Sequence, residues 1–278
     1  VFGSLDGQLY ALQVEDGEIA WIVNVGGAVK SAPTRVPNTC KLLTGSHGRR
    51  LLAIGKGGCI EWLENLDESP IVAPVTLDEN GEFAFVGTLG GGLHRINTNT
   101  GSKDWSVNNL GPIFGAPTLL TNPSQIAVAS ADGSVHCLSE SNGVRLWSVI
   151  LTPRGGFFSP PVPMTLNKRL LLLLANQSGH LHALEPVNGT TTWTLDCGTK
   201  MLESFSRTVF PVAPRAVQQT DSIIFARTDG CIFHCENLED GPPLPQLIYR
   251  LPSETFSTAL ILQFKPGVLS IFIGCRDN

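Results

Sequence analysis

The sequence predicts an all-β fold, a β-propeller of four-stranded repeats, and three observations carry this prediction. A Gly–Gly–Trp pattern with spacings of ten and then four residues occurs five times in the 278 residues. An Ala-Pro or similar pair follows each tryptophan, and a short apolar run that ends in a small residue precedes each unit. Repeats of about 40–45 residues with four strands each are typical of propellers, because a lone four-stranded sheet cannot bury both of its faces.

The Gly–Gly–Trp pattern contains all five tryptophans of the chain, at intervals of 41, 43, 42 and 46 residues. We interpret its members as structural repeat residues and expect the tryptophans in equivalent positions between neighbouring sheets, where a large ring fills the gap. The five matches are Gly7, Gly17 and Trp21; Gly48, Gly58 and Trp62; Gly91, Gly101 and Trp105; Gly133, Gly143 and Trp147; and Gly179, Gly189 and Trp193.

Within each unit the sequence predicts short strands joined by glycine turns. The runs "LYAL", "LHRI", "VHCL" and "LHAL" are β-prone, and an Asp-Gly pair before such a run forms a tight turn. The second glycine closes a hairpin into the tryptophan strand. A proline suits the start of a first strand, where no ladder N–H is lost. These prolines are Pro33, Pro74, Pro117, Pro160 and Pro214.

A degenerate sixth unit begins at Asp229, where Tyr249 is the candidate replacement for the tryptophan. Seven apolar runs ending in a small residue are present, against six full units. We therefore expect a seven-bladed propeller with an incomplete blade at the chain ends, and one domain over residues 1–278 that is a fragment of a longer protein. The final small residues of the runs are Gly3, Gly45, Gly87, Ala129, Ala175, Ala226 and Gly274.

Composition excludes several classes of partner. The net charge is -5 and the basic residues are scattered, so we expect no nucleic acid partner. The longest aliphatic run, Leu170 to Leu174, is far short of the ~20 residues of a membrane helix, so we expect no membrane partner. Seven cysteines spread along the chain indicate mostly buried thiols in a reducing compartment, which predicts a cytoplasmic protein.

Several motifs resemble known families. The stretch "GSLDGQLYAL…DGEIAW…SAPT" resembles the pyrroloquinoline-quinone (PQQ) type of propeller repeat. The stretches "GTLGGGLHRINTNTGSKDW…PIFGAPT", "VKSAPT…TGSHGRRLLAI" and "IYRLPSETFST…IFIGCRDN" are similar to the C-terminal propellers of the animal β-alanine-activating enzyme family, which belongs to the acyl-CoA synthetases. The resemblance covers essentially the whole chain. It implies a parent ATP-dependent ligase whose adenylation domain activates β-alanine and loads it on a carrier domain.

Residues that could carry chemistry are better explained by the repeat. His94, His136 and His182 share one repeat position with Tyr10 and Phe233, which predicts a structural ring site. In "CIFHC", Cys231 and Cys235 would share one face of a strand ~13 Å apart while His234 points the other way, so a zinc site is not expected.

The remaining motifs also lack the context that their chemistry needs. Asp6, Asp132 and Asp229 recur in turns. "GKGGC" around Lys56 lacks the Ser or Thr of a phosphate loop, and Ser222 lacks the Gly-Gly of a carrier attachment site. We therefore predict no catalytic, cofactor-binding or metal-binding residue in this chain.

Three functions remain open. The first is a non-catalytic propeller that binds a protein, either its own upstream adenylation and carrier domains or another protein. The second is a quinoprotein dehydrogenase with PQQ and Ca²⁺, which would need an adjacent cysteine pair that the chain lacks. The third is a bacterial envelope scaffold, which seven cysteines argue against. The first is favoured, without a cofactor.

Two irregular segments are candidates for the binding face, because insertions in repeat proteins map to loops. One is the long stretch between Trp193 and Pro214. The other is "LEDGPPLPQLIYR", which replaces the standard hairpin and contains a stiff run at Pro242, Pro243 and Pro245.

Overall fold

The computed structural model describes residues 1–121, 124–166, 169–197, 214–216, 222–236, 241–255, 260–265 and 268–274. Every regular element in these ranges is a β-strand, apart from a single 3-10 turn at Lys56–Gly58. The predicted all-β fold is confirmed. The strands form antiparallel sheets in which neighbours in the sheet are also neighbours in the chain, as hairpin connections require.

The first four sheets contain fifteen strands, and each follows the order of the chain. The first sheet contains β1 (Phe2–Gly3), β2 (Gln8–Leu12) and β3 (Ile19–Asn24). The second contains β4 (Thr34–Arg35), β5 (Leu42–Gly45), β6 (Arg50–Ile54) and β7 (Ile60–Asn65). The third contains β8 (Thr76–Leu77), β9 (Phe83–Gly87), β10 (Leu93–Asn97) and β11 (Lys103–Val107). The fourth contains β12 (Thr118–Thr121), β13 (Ser124–Ala129), β14 (Ser134–Ser139) and β15 (Arg145–Ile150).

Three further sheets follow within the described residues. The fifth contains β16 (Val162–Leu166), β17 (Arg169–Ala175), β18 (His180–Leu184) and β19 (Thr191–Asp196). The sixth contains β20 (Arg215–Ala216), β21 (Ile223–Ala226), β22 (Cys231–Cys235) and β23 (Gln246–Arg250). The last contains β24 (Leu260–Lys265) and β25 (Val268–Phe272), in which Ile261 pairs with Ile271. The number of seven blades stays a prediction.

The chain divides into two compact units, Val1–Leu146 and Trp147–Asn278. In the first unit, the central sheets are buried on both faces. On β6, Leu51 and Ala53 belong to a core shared with β9, whereas Leu52 and Ile54 belong to a core shared with β2 and β3. This is why β6 reads as a continuous apolar run and not as an alternating one.

The second unit has the same kind of core. Leu171 and Leu173 of β17 pack in one cluster with Ile223 and Phe225 of β21, so the fifth and sixth sheets share it. Trp193 joins this cluster and is only 4% exposed.

Four of the repeat tryptophans lie between consecutive sheets. Each packs its ring against the second repeat glycine of the following sheet, which has a positive φ of 70–83°. A Cβ on these glycines would lie 2.6–3.0 Å from ring atoms, so any other residue type would force the ring or the backbone to shift. The pairs are Trp21 with Gly58, Trp62 with Gly101, Trp105 with Gly143, and Trp147 with Gly189.

Three of these indoles also donate a hydrogen bond to the same following sheet. The Nε1 atoms of Trp62, Trp105 and Trp147 donate to backbone carbonyls at 3.0, 3.0 and 2.7 Å. The accepting carbonyls belong to Thr98, Glu140 and Pro186. Each tryptophan therefore supplies both apolar contact and a directional bond between two sheets.

The first repeat glycine is a turn residue in most sheets. Gly7, Gly91, Gly133 and Gly179 have φ of 83–90°, and each amide donates to the carbonyl three residues earlier. In the second sheet this place is taken by Arg49, with φ 66° and a bond to the carbonyl of Ser46, and not by Gly48.

The assignment of Gly48 to the turn is therefore one residue out of register. On β6, Ala53 pairs with Trp62, so the hairpin is one residue shorter than between the equivalent pair Ala11 and Trp21. The turn residue comes one position later and the hairpin is one residue shorter. The two changes cancel, so the spacing from Gly48 to Trp62 equals the spacing in the other units. Gly48 is glycine for another reason, since a Cβ there would lie 1.8 Å from the carbonyl oxygen of Gly26.

The expected replacement of tryptophan by Tyr249 is wrong. In the equivalent sheets, a tryptophan pairs with the residue four positions after the turn residue, as Trp193 does with Ala183. In the sixth sheet that position is His234, which pairs with Gln246, whereas Tyr249 lies opposite Ile232 and is 61% exposed. The longer connection between β22 and β23 changes the register, so the tyrosine faces solvent.

The prolines and small residues occupy the places expected for them. Pro33, Pro117 and Pro214 directly precede the first strands β4, β12 and β20. Gly45 is glycine because a Cβ there would lie 2.1 Å from the side chain of Ile71, which belongs to the segment leading to the next sheet.

Candidate interaction surface

The three repeat histidines lie inside the sheets and are bonded to neighbours. His94 Nδ1 is 2.8 Å from Ser106 Oγ, and His182 Nδ1 is 3.0 Å from Thr194 Oγ1, in each case on the next strand of the same sheet. His136 Nε2 is 2.9 Å from Ser134 Oγ. All three side chains are buried. His94 and His182 therefore form cross-strand bonds within single sheets, whereas His136 bonds to a residue of its own strand, β14.

Burial keeps these imidazoles neutral. Loss of solvation lowers the pKa of His94, although the nearby Asp67 carboxylate opposes the shift. Burial likewise lowers the pKa of His136, and it lowers the pKa of His182 to about 4. At neutral pH these side chains therefore act as hydrogen-bonding groups without charge.

The recurring aspartates form turns, as expected. The Oδ1 atoms of Asp6, Asp132 and Asp229 accept hydrogen bonds from the backbone amide two residues further on, at 3.0, 2.9 and 3.2 Å. Burial opposes ionisation of Asp132, yet hydrogen bonds from Ser134 and Ser130 hold its pKa below the ordinary value. These carboxylates are occupied by the backbone and are poorly placed for proton transfer.

The "CIFHC" motif does not assemble a metal site. Cys235 is part of the apolar core around Trp193, whereas Cys231 lies beside Asp229 and Arg227. His234 is half-buried on the other face, 3.8 Å from Glu236. Among the described residues, no three His, Cys, Asp or Glu side chains lie close enough together to hold a metal ion.

The cysteines divide into two groups. Cys137, Cys197 and Cys235 are buried, and burial raises the pKa of each thiol to about 12, which makes them inert. Cys231 is also buried. Cys40 and Cys59 are exposed free thiols, and Cys275 lies outside the described residues.

Some buried side-chain amides are fully engaged within the protein. Asn176, for example, is 1% exposed, and both of its amide atoms are engaged. Its Nδ2 donates to the carbonyl of Pro153, and its Oδ1 accepts from Ser178 and from the amide of His180. The chain also contains no two adjacent cysteines.

The other motifs behave as structural features. Lys56 lies in the 3-10 turn that ends at Gly58, beside the ring of Trp21. Ser222 is 4% exposed, which denies a prosthetic arm access to its hydroxyl. Most of the long stretch between Trp193 and Pro214, residues 198–213, lies outside the described residues, as does Ala259.

The described part of the connection between β22 and β23, Glu236 and residues 241–245, forms an irregular surface, and residues 237–240 lie outside the described residues. It lines a cleft of about 380 Å³ whose walls include His234, Glu236, Leu244 and Gln246. Leu244 is 90% exposed. All five residues of β23 are exposed, including Leu247, Ile248 and Tyr249.

A second, apolar cavity of about 310 Å³ lies against the second half of β23. Its walls are Ile232, Ile248, Tyr249, Leu251, Ile271 and Ile273. The sixth sheet therefore presents apolar side chains and two concave sites along its outer strand. Contiguous exposed apolar surface of this kind is typical of a site of protein contact.

The sequence did not predict one buried cation, Lys41. Lys41 is 8% exposed, and its Nζ lies 3.1 Å from Glu61 Oε2 and donates to the carbonyl of Thr98 at 2.9 Å. The same carbonyl accepts the bond from Trp62. No pattern in the sequence marks this lysine, because its partners are 20 and 57 residues away.

These observations define the chain as a β-propeller with an irregular sixth sheet. It belongs to the family of β-propellers of β-alanine-activating enzymes, whose model, "Beta-alanine-activating enzyme, beta-propeller", matches residues 1–278. The resemblance in the motifs is thereby confirmed.

A curated relative supports the same family. The chain is 27% identical over 301 residues to the β-alanine-activating enzyme of Drosophila melanogaster. The match covers 99% of this chain and 27% of that protein, so the chain spans about a quarter of the length of this relative.

Solved structures show the same fold. BamB from Moraxella catarrhalis superposes with a TM-score of 0.57 at 16% identity, over 94% of this chain and 87% of BamB. The computationally designed Ika8 protein superposes with a TM-score of 0.71 at 13% identity, over 97% of this chain and 76% of the design. Within the described residues, no helix is long and apolar enough to cross a membrane.

Proposed function

We propose that this chain is a non-catalytic, protein-binding propeller of an ATP-dependent β-alanine-activating ligase. The name of the Drosophila relative supports the parent activity, and the family match covers the whole chain. The partner is a protein, either the upstream adenylation and carrier domains of the ligase or a separate protein. No nucleic acid, membrane or cofactor is part of the proposal.

The observation that carries this proposal is the division of polar and apolar side chains. The residue types that could perform chemistry, the histidines of β10, β14 and β18, are buried and bonded to neighbouring side chains. The solvent-facing surface of the sixth sheet instead exposes Leu244, Leu247 and Tyr249. An adenylating site needs cationic and polar groups free to meet a triphosphate, and a binding surface needs exposed apolar groups.

The test is the ATP–pyrophosphate exchange reaction in the presence of β-alanine. We expect no exchange above background from the purified 278-residue chain, and exchange from the full-length Drosophila relative assayed beside it. Exchange by the chain alone that depends on β-alanine would overturn the proposal, because it would place an adenylating site within these residues.

A further inference from the structure

We propose that the segment Gly241–Gln246 is a docking site for a proline-recognition domain of a partner, a module that reads a polyproline II helix in an aromatic-lined groove. The inference rests on the proposed protein-binding role and adds the chemical class of the partner. It concerns the sequence Gly-Pro-Pro-Leu-Pro-Gln, in which Pro242 and Pro245 are three residues apart.

Stereochemistry favours the conformation that such domains bind. The rings of Pro242, Pro243 and Pro245 fix φ near about −65°. A residue that precedes proline is driven out of the α region, and this applies to Pro242 and Leu244. Residues 241–245 of the segment have no regular secondary structure and lie between β22 and β23, and Gln246 begins β23. A polyproline II helix here is therefore largely formed before any partner arrives, so little conformational entropy is lost on docking.

The edges of such a helix differ in burial over Pro242–Pro245. With three residues per turn, Pro242 and Pro245 lie on one edge, Pro243 on a second and Leu244 on the third. Pro243 is buried, Pro242 is exposed, Pro245 is half-buried and Leu244 is 90% exposed. The protein thus seats the edge at Pro243, covers Pro245 in part, and leaves Pro242 and Leu244 in solvent. Grooves that recognise a Pro-x-x-Pro motif contact such exposed edges with aromatic side chains.

The adjoining cleft adds shape and charge. The cleft of about 380 Å³ runs beside Pro242 and Leu244, which leaves room for side chains of a docked domain next to the ridge. The carboxylate of Glu236 lies in its wall and its side chain is 69% exposed. A partner whose groove is flanked by a Lys or Arg is complementary to this wall.

The experiment measures binding of the intact chain to a panel of purified WW, SH3 and EVH1 domains by biolayer interferometry. We expect at least one domain of the panel to bind. The double variant Pro242→Ala/Pro245→Ala and the single variant Leu244→Ala should each weaken that affinity about 30-fold, as truncation of a hot-spot residue does. Glu236→Gln should weaken it several-fold, and only at low ionic strength.

Matched controls separate docking from folding. Pro252→Ala changes another exposed proline, and Leu5→Ala changes a leucine that is 71% exposed, so both should leave the affinity unchanged. Thermal unfolding of every variant should show the wild-type midpoint within a few degrees.

The inference is overturned if no domain of the panel binds, or if the Pro242→Ala/Pro245→Ala variant binds as the wild type does. It is also overturned if the chain binds only to itself through this segment. These results are independent of the pyrophosphate exchange assay. The proposed non-catalytic role can therefore hold even if the inference about proline recognition is wrong.

Discussion

At the scale of single residues, the repeat is a set of contacts between a ring and a glycine. Gly17 and Gly101 occupy the same repeat position with the same φ of 76°, but only Gly101 is covered by a tryptophan, Trp62. The two glycines therefore separate the cost of the backbone conformation from the cost of filling the space that the ring occupies. The buried histidines also act at the scale of single residues, because their protonation makes the free energy of unfolding depend on pH.

Replacement of Gly101 by alanine should destabilise the chain more than the same change at Gly17. Gly17→Ala adds a methyl group with no atom within 4 Å, so only the positive φ opposes it, at about 1–2 kcal/mol. Gly101→Ala places Cβ 2.9 Å from the ring of Trp62 and should cost about 1–3 kcal/mol more. Urea denaturation measures both free energies of unfolding. In a Trp62→Ala background the excess should vanish, and equal costs in the wild-type background would contradict the packing argument.

Acidification should destabilise the chain through His182. Its folded pKa of about 4 lies below the ordinary value of 6.5, so the unfolded chain binds the proton more readily. The stabilisation is complete above pH 6.5 and is lost as the pH falls towards 4, by up to about 1.4 kcal/mol per pH unit. Denaturation at pH 7 and pH 5 measures this slope, which His182→Gln should flatten. An NMR titration of His182 with a midpoint near 6.5 would show that the ring is solvated.

At the scale of elements, strands and connections carry different information. The hairpins that keep a regular length hold their tryptophan between sheets, as β18 and β19 do. Where the connection lengthens, between β22 and β23, the register shifts and the outer strand turns its side chains to solvent. Between these extremes, the hairpin after β10 is held from outside by Lys41 and Trp62, which both donate to the carbonyl of Thr98.

Loss of the Lys41 ammonium should loosen the second sheet from this hairpin. Lys41→Met keeps the length of the side chain but removes the bonds to Thr98 and Glu61, and we expect a loss of about 1–3 kcal/mol in the free energy of unfolding. The matched control is Lys30→Met at an exposed position, which should change stability by less than about 0.5 kcal/mol. The same loss in both variants would mean that the buried bonds contribute nothing.

At the scale of the whole molecule, the propeller architecture does not by itself determine a function. BamB and the designed Ika8 protein share the fold at 16% and 13% identity, which shows the architecture alone. The specific character of this chain lies where it departs from the repeat, in the exposed ridge and strand of the sixth sheet. The buried histidines and turn aspartates described above form hydrogen bonds that stabilise the sheets and their turns.

A titration with PQQ and Ca²⁺ tests the absence of a cofactor. We expect no saturable change in absorbance and no rise in the melting temperature, because the buried Asn176 amide and His182 imidazole are already bonded to neighbours. A ligand that binds the native state must raise the melting temperature by mass action. A stoichiometric complex with such a rise would place a quinoprotein site in this chain.

The sequence by itself determined the class of fold, the strands, the glycine turns and the structural role of the histidines. These features repeat along the chain at a regular spacing. Such a repeat indicates that the same local requirement recurs in each unit, such as a positive φ or a ring between two sheets. Only the tertiary structure decided that Arg49 takes the turn position expected of Gly48, that Tyr249 faces solvent, and that Lys41 is buried. It also decided that Pro243 is the buried proline of the segment Gly241–Gln246. Each of these depends on contacts between residues distant in sequence or on a one-residue change of register, and spacing alone does not record either.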